Sequence, residues 1–132
     1  MDSKKHMSNY YKAMQDQLGT PTVKEVMDAV RKFDSGAMRQ PTAGNGRYDL
    51  IPPLVLRRIA LIFEEGAEKY GDRNYEKGIP VSNFINHALI HLINYLSGDD
   101  SEDQLGKVVW NIMAAMHMQD IHPELVDLPV KR

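Results

Sequence analysis

The chain has 132 residues, 42% of them hydrophobic and 26% charged, which is the size of one domain with a core and excludes a compositionally disordered chain. A formal net charge of −2 excludes a global attraction to nucleic acid polymers, and the absence of cysteine excludes disulfides and thiolate zinc sites. No apolar run approaches the length of a membrane span, and "MDSKKHMSNYYKAM" has no apolar stretch of the secretory kind, so a cytoplasmic protein is expected.

The elements come in chain order. Residues 8–18 ("SNYYKAMQDQL") suit a short helix closed by Gly19, within an N-terminal arm spanning 1–20. A second helix is predicted from Pro21–Thr22, with Val23, Val26, Met27 and Val30 at helical spacing and Gly36 as its end. Residues 34–50 hold many turn-formers and few large apolar side chains, and read as a long functional loop. A third helix starts at Pro52–Pro53, runs to Tyr70 and stops at Gly71. Ser82 is the expected cap of a fourth, which ends at Leu96 before Gly98. Asp99, Asp100, Ser101, Glu102 and Asp103 open a fifth, which reaches Ile121, where acid suits the positive end of the helix dipole. Pro123 and Pro129 mark an extended tail over 122–132. No segment alternates with period two. The expected fold is an all-α bundle of about five helices whose main domain spans 21–121.

Acid concentrates on the third helix. Val55, Ile59, Ile62, Phe63, Gly66 and Tyr70 share one arc, while Glu64, Glu65 and Glu68 lie on the opposite one. The plain reading is a solvated face with a Glu65–Lys69 pair. Leu61 on the acidic arc and the mild repulsion between Glu64 and Glu68 favour a divalent cation held among carboxylates. On the fifth helix, Leu105, Val108, Val109, Ile112 and Met116 form the expected core stripe. Asp103 lies on the other side with Lys107, and Asp99 comes one turn earlier; these are caps or the second half of a metal site. His87, His91 and Asn94 share an edge of the fourth helix. No third soft ligand accompanies the histidines, so His91 bordering a phosphate pocket is preferred to zinc. That helix is apolar over so broad a face that an oligomer is expected. Arg47, Lys69, Arg73 and Asn74 add basic and amide groups beside the acid, a combination suited to polyphosphate, with solubilising charge as the alternative.

Three segments carry a resemblance: "GRYDLIPPLVLRRIALIFEEGAEKYGDRNYEKGIPVSNF", "HLINYLSGDDSEDQL" and "WNIMAAMH". From about Phe33 to Pro129 the chain resembles the phage and bacterial dATP/dGTP diphosphohydrolase-type family of the MazG-like all-α nucleoside triphosphate pyrophosphohydrolases. Its members usually read G-A-x-K-Y-G-x-R-N-W-E-K-G, and here Tyr75 replaces the tryptophan. The resemblance implies a dimer or tetramer that splits a nucleoside triphosphate into monophosphate and pyrophosphate, using two or three Mg²⁺ or Mn²⁺ ions. The wider superfamily's E-E-x-x-E motif is intact as Glu64-Glu65-Gly66-Ala67-Glu68. No later predicted helix carries its E-x-x-D motif; Asp99 or Asp100 with Asp103, or the pair Glu102–Asp103, comes nearest, and His91-Leu-Ile-Asn94 has the spacing with other side chains. In that scheme Glu65, Glu68 and the later acids hold the ions, Glu64 is the base, and Lys69 and Arg73 stabilise the leaving pyrophosphate. A purine, of dGTP, GTP or dATP, would sit against the 34–50 loop and a neighbouring subunit, with Asn74, Asn94 or Asn111 reading its edge. The site of action would be the cytoplasm, the host's if phage-encoded. An HD-type phosphohydrolase needs a His-Asp dipeptide, which this chain lacks. A non-catalytic helical oligomer or adaptor is the competing reading.

Overall fold

The computed structural model describes Gly19 and residues 30–40 and 44–130. Among these, three α-helices, α1 (Pro53–Tyr70), α2 (Val81–Leu96) and α3 (Gln104–Ile121), carry the fold. Strands β1 (Arg31–Lys32) and β2 (Met38–Arg39) form a small antiparallel ribbon, with Arg31 opposite Arg39. The expected first helix and residues 21–29 of the second lie outside the described residues.

The ribbon corrects the sequence reading. The second helix was expected to reach Gly36, but residues 31–36 are a strand and a turn. Asp34, Ser35 and Gly36 explain the change. Gly36 takes φ 88°, which a side chain disfavours, and its N–H donates to the Phe33 carbonyl at 2.8 Å, folding the chain back. The 34–50 stretch is also not wholly loop: it contains β2 and a 3-10 turn at Tyr48–Leu50.

α1 begins where proline is tolerated and ends at Gly71, whose N–H donates to the Ala67 carbonyl at 2.9 Å. Pro80, not Ser82, occupies the cap position of α2. Ser82 is the second residue of the helix, and Asp127 of the tail accepts from its backbone N–H at 2.9 Å and from its hydroxyl. The cap is thus supplied from the far end of the chain, which local sequence cannot announce.

Asp103 caps α3, accepting from the Gly106 N–H at 2.9 Å, and its carboxylate also takes two hydrogen bonds from the Arg58 guanidinium on α1. The guanidinium holds the Asp103 carboxyl down at about 2, well below its ordinary 3.8. A depressed folded value contributes stability above pH 3.8 that is lost as pH falls towards 2. Asp103→Ala is expected to cost about 1 kcal/mol at neutral pH, and Asp103→Asn, which keeps a capping oxygen, less. Thermal melts across that acid range should show the gap between wild type and Asp103→Ala narrowing; a gap unchanged with pH would contradict the assignment.

α2 packs along α3, and α1 packs against α3. The buried core is Val81, Phe84, Ala114, Ala115, Met118 and Ile121, flanked by Tyr75, Ile79, Ile85, Trp110 and Val126. This overturns the expected core stripe of α3. Leu105, Val109, Ile112 and Met116 are exposed, Met116 by 60%, whereas Gln104, Gly106, Asn111, Ala114 and Ala115 are buried. The inward face is small or amide-bearing as far as Ala115, and Met118 and Ile121 fill its end. A Cβ on Gly106 would lie 2.9 Å from the Ile62 side chain and 2.5 Å from the Asp103 carboxylate, so any side chain there would force both to move. On α1, likewise, Ile59 is buried but Tyr70 is 68% exposed.

Candidate functional site

The three helices and the 3-10 turn Asn74–Lys77 enclose a cavity of about 300 Å³. Phe63, Tyr75, Phe84 and Trp110 give it an aromatic wall, with ring centroids 5.5 Å apart for Tyr75–Trp110, 5.8 Å for Phe63–Trp110 and 6.1 Å for Phe84–Trp110. Edge-on packing of this kind fixes the rings against each other and leaves flat apolar surface. Polar groups complete the lining: Glu65, Lys69, Arg73, Lys107, the amides of Asn74, Asn83 and Asn111, and His87 and His91.

Among the described residues, Glu65 is the only carboxylate in that lining. Lys69 donates to it at 2.7 Å and the Lys107 ammonium lies 3.6 Å away. The Lys69 hydrogen bond, reinforced by the Lys107 charge, holds the Glu65 carboxyl below its ordinary value. A carboxylate so stabilised is a poor proton acceptor and a good permanent anion. Lys107, only 18% exposed, also pairs with Glu102 at 2.6 Å, so one ammonium bridges two acids on different elements. His91 Nδ1 lies 2.8 Å from the Gln104 side-chain oxygen and 3.4 Å from Glu102. Two acceptors beside Nδ1 make that nitrogen the ring's donor, and in the neutral imidazole Nε2 is then the acceptor. Asn111 is buried and donates to the Lys107 backbone carbonyl at 2.8 Å.

The structure therefore brings together Glu65, Lys69, Arg73, Asn74, His91 and Asn111, with Glu102 joined through Lys107. It does not bring Glu64 or Glu68 to the cavity: both are exposed. Asp99 accepts from the backbone and hydroxyl of Ser101, which holds its carboxyl below the ordinary value. Asp103 is committed to Arg58 and the helix cap. Asn94 is absent from the lining, and Arg47 is held by Asp49 in a separate depression, so none of residues 34–40 and 44–50 walls the cavity. Among the described residues, no three His, Asp or Glu side chains converge as a metal cluster. Sequence reasoning missed Lys107, Asn83 and the aromatic wall. Lys107 on the same side of its helix as Asp103 was the available signal, but a lysine near acids reads as surface.

No helix among the described residues is long and apolar enough to cross a membrane. Neither a curated protein nor a solved structure is significantly similar to the chain. A family model described as "dATP/dGTP diphosphohydrolase, N-terminal" matches residues 35–128, which include all three helices and every residue of the cavity. With most of its length matched, the chain belongs to the dATP/dGTP diphosphohydrolase N-terminal family.

Proposed function

We propose that the chain hydrolyses a purine deoxynucleoside triphosphate, dGTP or dATP, or the ribonucleotide GTP, to the monophosphate and pyrophosphate. The observation that carries this reading is the juxtaposition in one cavity of an aromatic wall and amides with Lys69, Arg73, Lys107 and Glu65. The rings suit a base, and the amides can read its edge: with Nδ2 of Asn111 donating to its own helix, its Oδ1 can accept from an exocyclic amine. The cations suit a polyphosphate.

In the reaction, water attacks the α-phosphorus, the new P–O bond replaces the bond to the bridging oxygen, and pyrophosphate leaves against Lys69 and Arg73. Glu64 lies off the cavity, so the proton of the attacking water is assigned instead to His91 Nε2, with Gln104 and Glu102 orienting the ring. Mg²⁺ or Mn²⁺, in two or three ions, belongs to the proposal. Mg²⁺ is usually held by one or two carboxylates together with substrate phosphates, and Glu65 and Glu102, both facing the Lys107 ammonium, fit that limited donor set. Bound there, it would supply Lewis-acid charge at the phosphates. Glu68, Asp99 and Asp103 would have to rearrange to join. The nucleotide pool places the activity in the cytoplasm. The test is incubation of the purified protein with each common NTP and dNTP, with Mg²⁺, Mn²⁺ or EDTA. Metal-dependent release of monophosphate is expected, fastest for a purine deoxynucleotide, and no turnover of any nucleotide would return the protein to a binding scaffold.

The proposal includes a homo-oligomer, dimer or tetramer. Its support is the apolar face of α3, Leu105, Val109, Ile112 and Met116, together with Leu89, Ile93 and Leu96 of α2, all exposed in the single chain. A second copy that covers these faces removes the burden of an apolar patch in water. The double variant Val109→Glu with Ile112→Glu is expected to be monomeric by light scattering while the wild type is not. A monomeric wild type at micromolar concentration would contradict the oligomer.

A further inference from the structure

Arg73 is the only non-glycine described residue with positive φ, at 58°. The left-handed region disfavours a branched-off Cβ, so something in the fold must hold this residue there. It opens the 3-10 turn that carries Glu76, and Glu76 is 3% exposed. A carboxylate so deeply buried needs cationic or hydrogen-bonding partners, and both are present. Arg73 Nη1 donates to Glu76 Oε1 at 2.9 Å, and His117 Nε2 of α3 lies 3.1 Å from the same oxygen. His122 Nε2, at the end of α3, donates to the Glu76 backbone carbonyl at 2.9 Å. Glu76 is thereby tied at both its side chain and its backbone to the rigid helix. It does not line the cavity, whereas Arg73 does, with its side chain 59% exposed.

A guanidinium carries five N–H donors in a fixed planar fork. With Nη1 held by a buried carboxylate, the fork is restrained at one nitrogen, and its other donors are left to meet an anion. An arginine prepared in this way binds an anion without first being ordered.

We propose that Glu76 is a positioning residue, which, braced by His117, fixes Arg73 as a preformed grip for the phosphates of a polyphosphate ligand. The inference rests on the pyrophosphohydrolase reading for the identity of the ligand, but its geometry does not depend on hydrolysis.

Inorganic tripolyphosphate separates the two. Its binding can be followed through the fluorescence of Trp110, the chain's single tryptophan, which lines the cavity. Wild type, Glu76→Gln, Arg73→Ala and the double variant form a cycle. Arg73→Ala is expected to weaken binding on the order of 10-fold. Glu76→Gln should weaken it several-fold, and the double variant should bind no worse than Arg73→Ala alone, since Glu76 acts through Arg73. Three results would overturn the proposal: equal losses from Glu76→Gln with and without Arg73, tighter binding in Glu76→Gln, or no tripolyphosphate binding by wild type. If Glu76→Gln does not fold, Glu76→Asp, which keeps the charge with a shorter reach, takes its place in the cycle under the same criteria. Turnover is read separately. Coupling without nucleotide hydrolysis keeps this inference and sinks the enzymatic reading, while hydrolysis with additive losses does the reverse.

Discussion

Glu65→Gln is expected to lower kcat/KM for the preferred nucleotide on the order of 100-fold or more, about 2.7 kcal/mol of transition-state stabilisation. Glu65 is the carboxylate that faces the cavity, and it aligns the two ammonium groups of Lys69 and Lys107. Glutamine keeps the shape and removes the charge, so the lysines lose their common anchor and any divalent ion loses a ligand. Stability should change little, because the side chain is 44% exposed and solvent screens such pairs. The internal comparison is Glu64→Gln, one residue away but exposed and off the cavity, which should leave the rate nearly unchanged. Steady-state kinetics on the two variants decide between them: a large loss in Glu64→Gln with little in Glu65→Gln would mean that the site lies on the other face of α1.

Trp110→Ala is expected to have the largest effect on stability, about 3 kcal/mol by urea denaturation. The indole touches Phe63, Tyr75 and Phe84 from three elements, so its loss removes contacts with all three. Trp110→Phe should be far milder. Its Nε1 is buried without a hydrogen-bond partner among the described residues, and an unsatisfied buried donor costs about 1–3 kcal/mol. Phenylalanine removes that cost while it gives up part of the packing. A loss from Trp110→Ala below about 1 kcal/mol, or a Trp110→Phe variant as unstable as Trp110→Ala, would contradict this view of the wall.

How much of this was legible in sequence follows from the range of each signal. The limits of α1 are written locally, in Pro52–Pro53 and Gly71, and the structure follows them; of the acids expected to open the fifth helix, Asp103 caps α3 and residues 99–102 lie before it. The cap of α2 is not local, since Asp127 reaches it from 45 residues away. The face of α3 was misread because large apolar side chains at helical spacing read as core. The buried face is instead set by Gly106, Ala114 and Ala115, which let α1 and α2 come close. At the site, chemistry pointed to Glu65, Lys69, Arg73, Asn74, His91 and Asn111, which share the cavity. It did not separate Glu65 from Glu64 and Glu68. Glu64 and Glu68 lie close in angle on a helix, while Glu65 is turned by about 100° from Glu64 and about 60° from Glu68, towards the cavity. Glu76 sat inside the motif that carried the resemblance, but nothing local marks a glutamate as buried.

The central claim is that this cavity directs water to the α-phosphorus of a purine nucleotide. Hydrolysis of dGTP and dATP in ¹⁸O-labelled water, with the products separated and weighed by mass spectrometry, tests it most directly. The account predicts the label in the nucleoside monophosphate and unlabelled pyrophosphate. Label in pyrophosphate, or release of diphosphate and single phosphate, would place the attack at another phosphorus and contradict it.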